Sequence, residues 1–142
     1  MDIITYPNEI LRTPSVDITD IGSDKINTLI SDMISCMKDN RGLGLSACQI
    51  GINKNLFVCK LKAGIFVVIN PVVIAQSGHY RSRDEGCLSL PKERRTIKRK
   101  KLFKIKYLDG GRNEQVLKRE KFEATILQHE MDHLKGKLII DY

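Results

Sequence analysis

The sequence predicts a segregated α+β fold, and three observations predict it. A helical pattern of apolar residues stands near the N-terminus, a second stands near the C-terminus, and the apolar runs between them have strand length and strand alternation. The order is helix, several strands, helix, unlike the strand–helix alternation of a parallel sheet.

Ser23 stands where an N-cap belongs, just ahead of Asp24. Ile26, Leu29, Ile30, Met33 and Met37 then recur at helical spacing, which predicts an amphipathic helix to about Asp39. Residues 40–51, NRGLGLSACQIG, interrupt the pattern with three glycines. Short β-type runs follow at Asn55–Lys60 and Ile65–Asn70, and Pro71–Ala75 reads as a further strand or a continuation. Leu102–Leu108 alternates apolar and polar residues, as a half-buried strand does. Asp109-Gly110-Gly111 reads as the turn of a hairpin into Gln115–Lys118. Helical spacing returns over Phe122–Leu134 through Phe122, Ile126, Leu127 and Leu134. No repeat, low-complexity tract or linker interrupts the 142 residues, so one domain spanning 1–142 is expected.

Apolar residues make up 42% of the chain, enough for a sizeable core, although Trp is absent. Lys and Arg outnumber Asp and Glu by 24 to 17, giving +7, which speaks about partners and solubility and not about fold. The N-terminal MDIITYPNEILRTP lacks the basic, apolar and small-residue regions of a signal peptide. No apolar run approaches the ~20 residues of a membrane helix. Cytoplasmic residence without membrane contact is therefore expected. The four cysteines, Cys36, Cys48, Cys59 and Cys87, form no Cys-x-x-Cys pair, and no disulfide framework is expected of them. The first three are expected to fill core space.

The strongest chemical signal is His129-Glu130-Met131-Asp132-His133. Histidines four apart on a helix lie one turn apart on one face, so their ring nitrogens can share a metal ion. Glu130 projects beside them, placed to handle a proton of water at that ion. A polar helix face with incidental histidines is the plain alternative, but two of the three histidines in the chain fall in this motif. A catalytic site wants a third protein ligand from another element, with a position left open. His79 lies in the turn-like stretch SGHYRS and reads as a surface residue. Cys87 lies in EGCLS, beside a glycine that lets backbones approach closely; taken alone, such a cysteine is more often a filler than a ligand.

GLGLSACQ, EGCLS and QHEMDH, in that order, resemble the three signature motifs of peptide deformylases, and the likeness extends from Tyr6-Pro7 to the final GKLIIDY. The resemblance implies antiparallel sheets packed around a metal-binding C-terminal helix, and a hydrolase that removes the formyl group from the N-terminal methionine of nascent polypeptides. It makes Cys87, His129 and His133 the ligands of one divalent ion, iron(II) in the cell, with zinc, nickel or cobalt also suited to thiolate and imidazole. Glu130 matches the acid/base, Gln49 the amide that donates to the formyl oxygen, and Leu88 the backbone N–H that joins it. Leu43 and Gly44 match the edge along which the peptide lies, and Gly86 is a further substrate-binding position. Phe122, Ile126 and His129 match positions near the methionine pocket, Arg94 one that reaches toward the substrate chain, and Glu85 with Arg99 a supporting ion pair. Ser46 departs from the pattern, which usually has Ala there. Bacterial members typically continue beyond the equivalent of Tyr142 into another helix; in this the sequence resembles the short members that some bacteriophages encode, with a bacterial or phage-infected cytoplasm expected.

Two rival readings differ in class. A general metallopeptidase often takes its third ligand downstream, but the nine residues after His133 offer only Asp141 as an acid. A structural metal bracing a basic nucleic-acid binder normally closes with four ligands, and only three are at hand. The densest charge run, Lys92–Lys106 (KERRTIKRKKLFKIK), reads plainly as a solvated strand pair and turn. Its functional reading is weak contact with ribosomal RNA through Lys98, Arg99, Lys100 and Lys101. It lacks the aromatic interleaving of base-stacking surfaces, and no specific DNA target is expected. A monomer is the expected state.

Overall fold

A computed structural model describes all residues, Met1–Tyr142. Helix α1 (Asp24–Asp39) begins where its cap predicts: the Ser23 hydroxyl accepts from the Ile26 N–H at 3.2 Å. Its apolar stripe buries Ile26, Met33, Cys36 and Met37. The glycine-rich segment that follows supplies the short strand β1 (Gly44–Ser46) and a 3₁₀ turn, Ala47–Ile50, closed by Gly51 at φ 85°.

Next come β2 (Leu56–Leu61), β3 (Gly64–Ser77), β4 (Tyr80–Cys87), β5 (Leu90–Arg99), β6 (Leu102–Leu108) and β7 (Glu114–Glu120), then α2 (Lys121–Leu134). Two antiparallel sheets result, one of five strands in the order β1-β2-β3-β6-β7 and one of two, β4-β5. The segregated α+β architecture predicted from the sequence is the one observed. Pro71–Ala75 turns out to continue the strand of Ile65–Asn70. The continuation takes a bulge between Ile69 and Val72, with Asn70 at φ 51° and its amide bonded both ways to the Ile18 backbone at 2.9 Å.

Period alone predicted no strand over Tyr80–Cys87. The basic run does form two strands and a turn, but β5 and β6 belong to different sheets and do not pair with each other. The two faces of the large sheet bury different cores. Phe57, Cys59 and Leu61 of β2 pack with Leu127, Met131 and Leu134 of α2, while Leu56 and Val58 pack with Met33 and Met37 of α1. Helix α2 is buried nearly all round, as its residues 124–128 and 130–131 show, and so becomes the central post of the fold. No helix is long and apolar enough to cross a membrane. All four cysteines are free thiols.

Candidate metal centre

Three elements converge on one point. Cys87 ends β4, with a two-residue turn, Leu88-Ser89, before Leu90 of β5. His129 and His133 project from successive turns of α2 toward that turn. Cys87 Sγ lies 3.4 Å from His133 Nε2, and the two histidine Nε2 atoms lie 3.3 Å apart. Tetrahedral ligation with usual metal–sulfur and metal–nitrogen lengths separates such donors by about 3.5 and about 3.3 Å. The donor set therefore fits one divalent ion. The only other histidine, His79, sits in the exposed link between β3 and β4, as expected of a surface residue.

The surroundings suit a cation. His129 Nδ1 faces Glu85 Oε1 at 3.4 Å, which turns Nε2 toward Cys87 and His133. Burial opposes charge on His129, yet Cys87 and Glu85 outweigh it and hold a proton there up to about 10. Burial and the neighbouring His129 push His133 well below the usual range, so its imidazole is neutral, as a ligand must be. Glu85 is held in turn by Arg99, through Nε at 2.9 Å and Nη2 at 2.7 Å. Burial alone would raise the Glu85 carboxyl; the Arg99 and His129 contacts reverse this and hold it at about 2. Arg99 Nη1 also donates to Asp132 Oδ2 (2.8 Å) and to the Tyr142 hydroxyl (3.0 Å).

Glu130 lies buried beside the cluster. Burial raises its carboxyl, against His129 and a hydrogen bond from Ser46 Oγ to Oε1 at 2.9 Å. Gln49, on the 3₁₀ turn after β1, accepts from the Ser46 N–H through Oε1 at 2.9 Å. That contact directs its amide nitrogen toward Ser89 Oγ (3.2 Å) and Cys87 Sγ (3.8 Å).

A cleft of about 870 Å³ opens over these groups. Its lining includes Leu43, Gly44 and Gln49 from one motif, Glu85, Gly86, Cys87 and Leu88 from the second, and Ile126, His129 and Glu130 from the third, with Phe122 and Arg94 at its edge. Every site residue nominated from sequence thus borders one cleft, except Arg99, buried behind Glu85, and His133, buried behind the cleft with its Nε2 turned toward Cys87. Edge strand β1 pairs only with β2, so its other edge is unpaired beside the cleft. Sequence reasoning missed the polar contacts of Ser46, Ser89 and Tyr142. The departure at Ser46 was the one available signal, and Ser89 and Tyr142 carried none.

An open three-ligand cluster beside a buried glutamate is the arrangement of a metal-dependent hydrolase. Known proteins narrow that class. The family model for polypeptide deformylase matches residues 1–142. Peptide deformylase 1 of Clostridium perfringens is 45% identical over 137 residues, covering 95% of this chain and 92% of its own length. The crystal structure of a peptide deformylase from Legionella pneumophila superposes with TM-score 0.94 at 35% identity, over 99% of this chain and 83% of its own. A peptide deformylase from Synechococcus elongatus, solved in complex with actinonin, gives TM-score 0.94 at 33% identity, over 99% and 77%. The chain belongs to the polypeptide deformylase family.

Proposed function

We propose that this chain removes the N-formyl group from the N-terminal methionine of nascent polypeptides and releases formate. The observation that carries the proposal is the convergence of Cys87, His129, Glu130 and Gln49 at one wall of the cleft, with His133 joining Cys87 and His129 from behind it. An ion held by the three ligands would polarise a carbonyl and lower the pKa of water. Glu130 takes a proton from the attacking water as the oxygen bonds to the formyl carbon, then passes it to the amine as the carbon–nitrogen bond breaks. The Gln49 amide and the Leu88 N–H donate to the oxygen on which charge develops. Leu43 and Gly44 pair with the peptide backbone opposite Gly86, while Phe122 and Ile126, with His129, receive the methionine side chain. Arg94 reaches toward the following residues.

Residues 1–142 act as one catalytic domain in this reading, monomeric and cytoplasmic, in a bacterial or phage-infected cell. Iron(II) is the proposed ion in the cell, with zinc, nickel or cobalt compatible with the same donors. For weak ribosomal contact, Lys98 and Lys101 are exposed and Lys100 is partly so. Arg99 is not available, being buried in its pairs with Glu85 and Asp132. Protein loaded with iron(II) under anaerobic conditions is expected to release formate from formyl-Met-Ala and hardly any acetate from acetyl-Met-Ala. Cleavage of internal peptide bonds at comparable rates would restore the general-peptidase reading.

A further inference from the structure

We propose that Ser46 is a positioning residue that fixes both the proton carrier and the oxyanion donor, and that it leaves Oε2 of Glu130 as the oxygen that moves protons. The proposal rests on the deformylase reading for what those two groups do, and on geometry for how they are held. Ser46 is fully buried at the end of β1. Its two polar hydrogens go to two different site groups. The N–H donates to Gln49 Oε1 at 2.9 Å, and the hydroxyl donates to Glu130 Oε1 at 2.9 Å. The Glu130 backbone carbonyl, 3.2 Å from the same hydroxyl, is the competing acceptor; the side-chain oxygen is nearer, at 2.9 Å, and so is favoured.

No other side chain or backbone group donates to the Glu130 carboxylate. Its second oxygen is confined by a different means. A Cβ at Gly44 would lie 2.8 Å from Glu130 Cδ and 2.9 Å from Cγ, so the side chain lies directly against the bare Gly44 Cα. Oε2 is the oxygen nearest to where that Cβ would stand, on the strand that borders the cleft, and no protein group donates to it. Tethering Oε1 and confining the stem of Glu130 together leave one free oxygen in a set place. An alanine at position 46 would keep the N–H contact to Gln49 and remove only the tether on Glu130.

Ser46→Ala is therefore the test, assayed on formyl-Met-Ala beside wild type, Glu130→Gln and the double variant. We expect kcat to fall about tenfold, the scale of one lost hydrogen bond to a charged group, with KM and metal content within twofold of wild type. In the Glu130→Gln background Ser46→Ala should change the residual rate less than twofold, because its effect acts through the carboxylate. An unchanged kcat, or an equal loss in both backgrounds, overturns the proposal. Infrared difference spectra of wild type against Ser46→Ala read the contact without turnover. A shifted carboxylate band that is absent in the Glu130→Gln background is expected. No shift overturns the proposal, whereas a shift in a protein that makes no formate would overturn the deformylase reading alone.

Discussion

Gly44 shows how much of this site one residue can decide. A methyl group there would overlap Glu130, so Gly44→Ala should push the carboxylate aside while the three ligands stay in place. The expected outcome is a loss of kcat of about a hundredfold with normal metal content, since misplacement by an ångström has that scale. Glu130→Gln keeps the shape and removes the proton carrier. It should lower kcat roughly a hundred- to ten-thousandfold, with metal content again unchanged by elemental analysis. The cysteines divide in the same assay. Burial pushes the Cys48 and Cys59 thiols up to about 12, as suits inert core fillers. Cys48→Ser and Cys59→Ser should therefore retain metal, and Cys87→Ser should lose it. The two histidines were legible because a pair one turn apart has few other uses, whereas Cys87 alone reads as a filler and was marked as a ligand by the ordered motifs. The Ser46–Glu130 contact was not legible, because it joins residues 84 apart that no local pattern relates.

Secondary structure was most legible where one face of an element is buried and the other is wet. Helix α1 and strand β6 lie where apolar spacing predicted them. The β4–β5 pair was harder because its burial follows no clean alternation. Only Ser82 and Glu85 are buried in β4, and bulges on either side of Glu85 shift the register. Its inward residues are partly charged, so hydrophobic period gives no sign of them. They hold the pair to α2 through Arg99, which bridges Glu85 of β4 and Asp132 of α2. Arg99→Met should leave two carboxylates without their cation and destabilise the protein by about 3–5 kcal/mol in denaturant titration. Glu85→Gln combined with Arg99→Met should cost less than the arginine change alone, because one of those stranded charges is gone.

At the scale of the whole molecule, the three candidate metal ligands come from both structural halves: Cys87 from the two-stranded sheet, His129 and His133 from the helix that fills the larger core. Anything bound by all three stabilises the folded state by mass action, about 2.7 kcal/mol at a hundred times its Kd. For a chain of this size, chelation should lower Tm by roughly 5–10 °C. Calorimetry should show that drop in wild type and none in Cys87→Ser. The same arrangement sets a timetable for synthesis. Ser46 leaves the peptidyl-transfer centre 84 residues before Glu130, an interval of roughly 4 to 17 s at ~5–20 residues per second. Helix α2 is made after all seven strands, and β1 and the β4–β5 turn must wait for it. A growing copy of this chain thus cannot gather its three candidate ligands until α2 has been made, and nascent chains arrested before α2 should capture no metal.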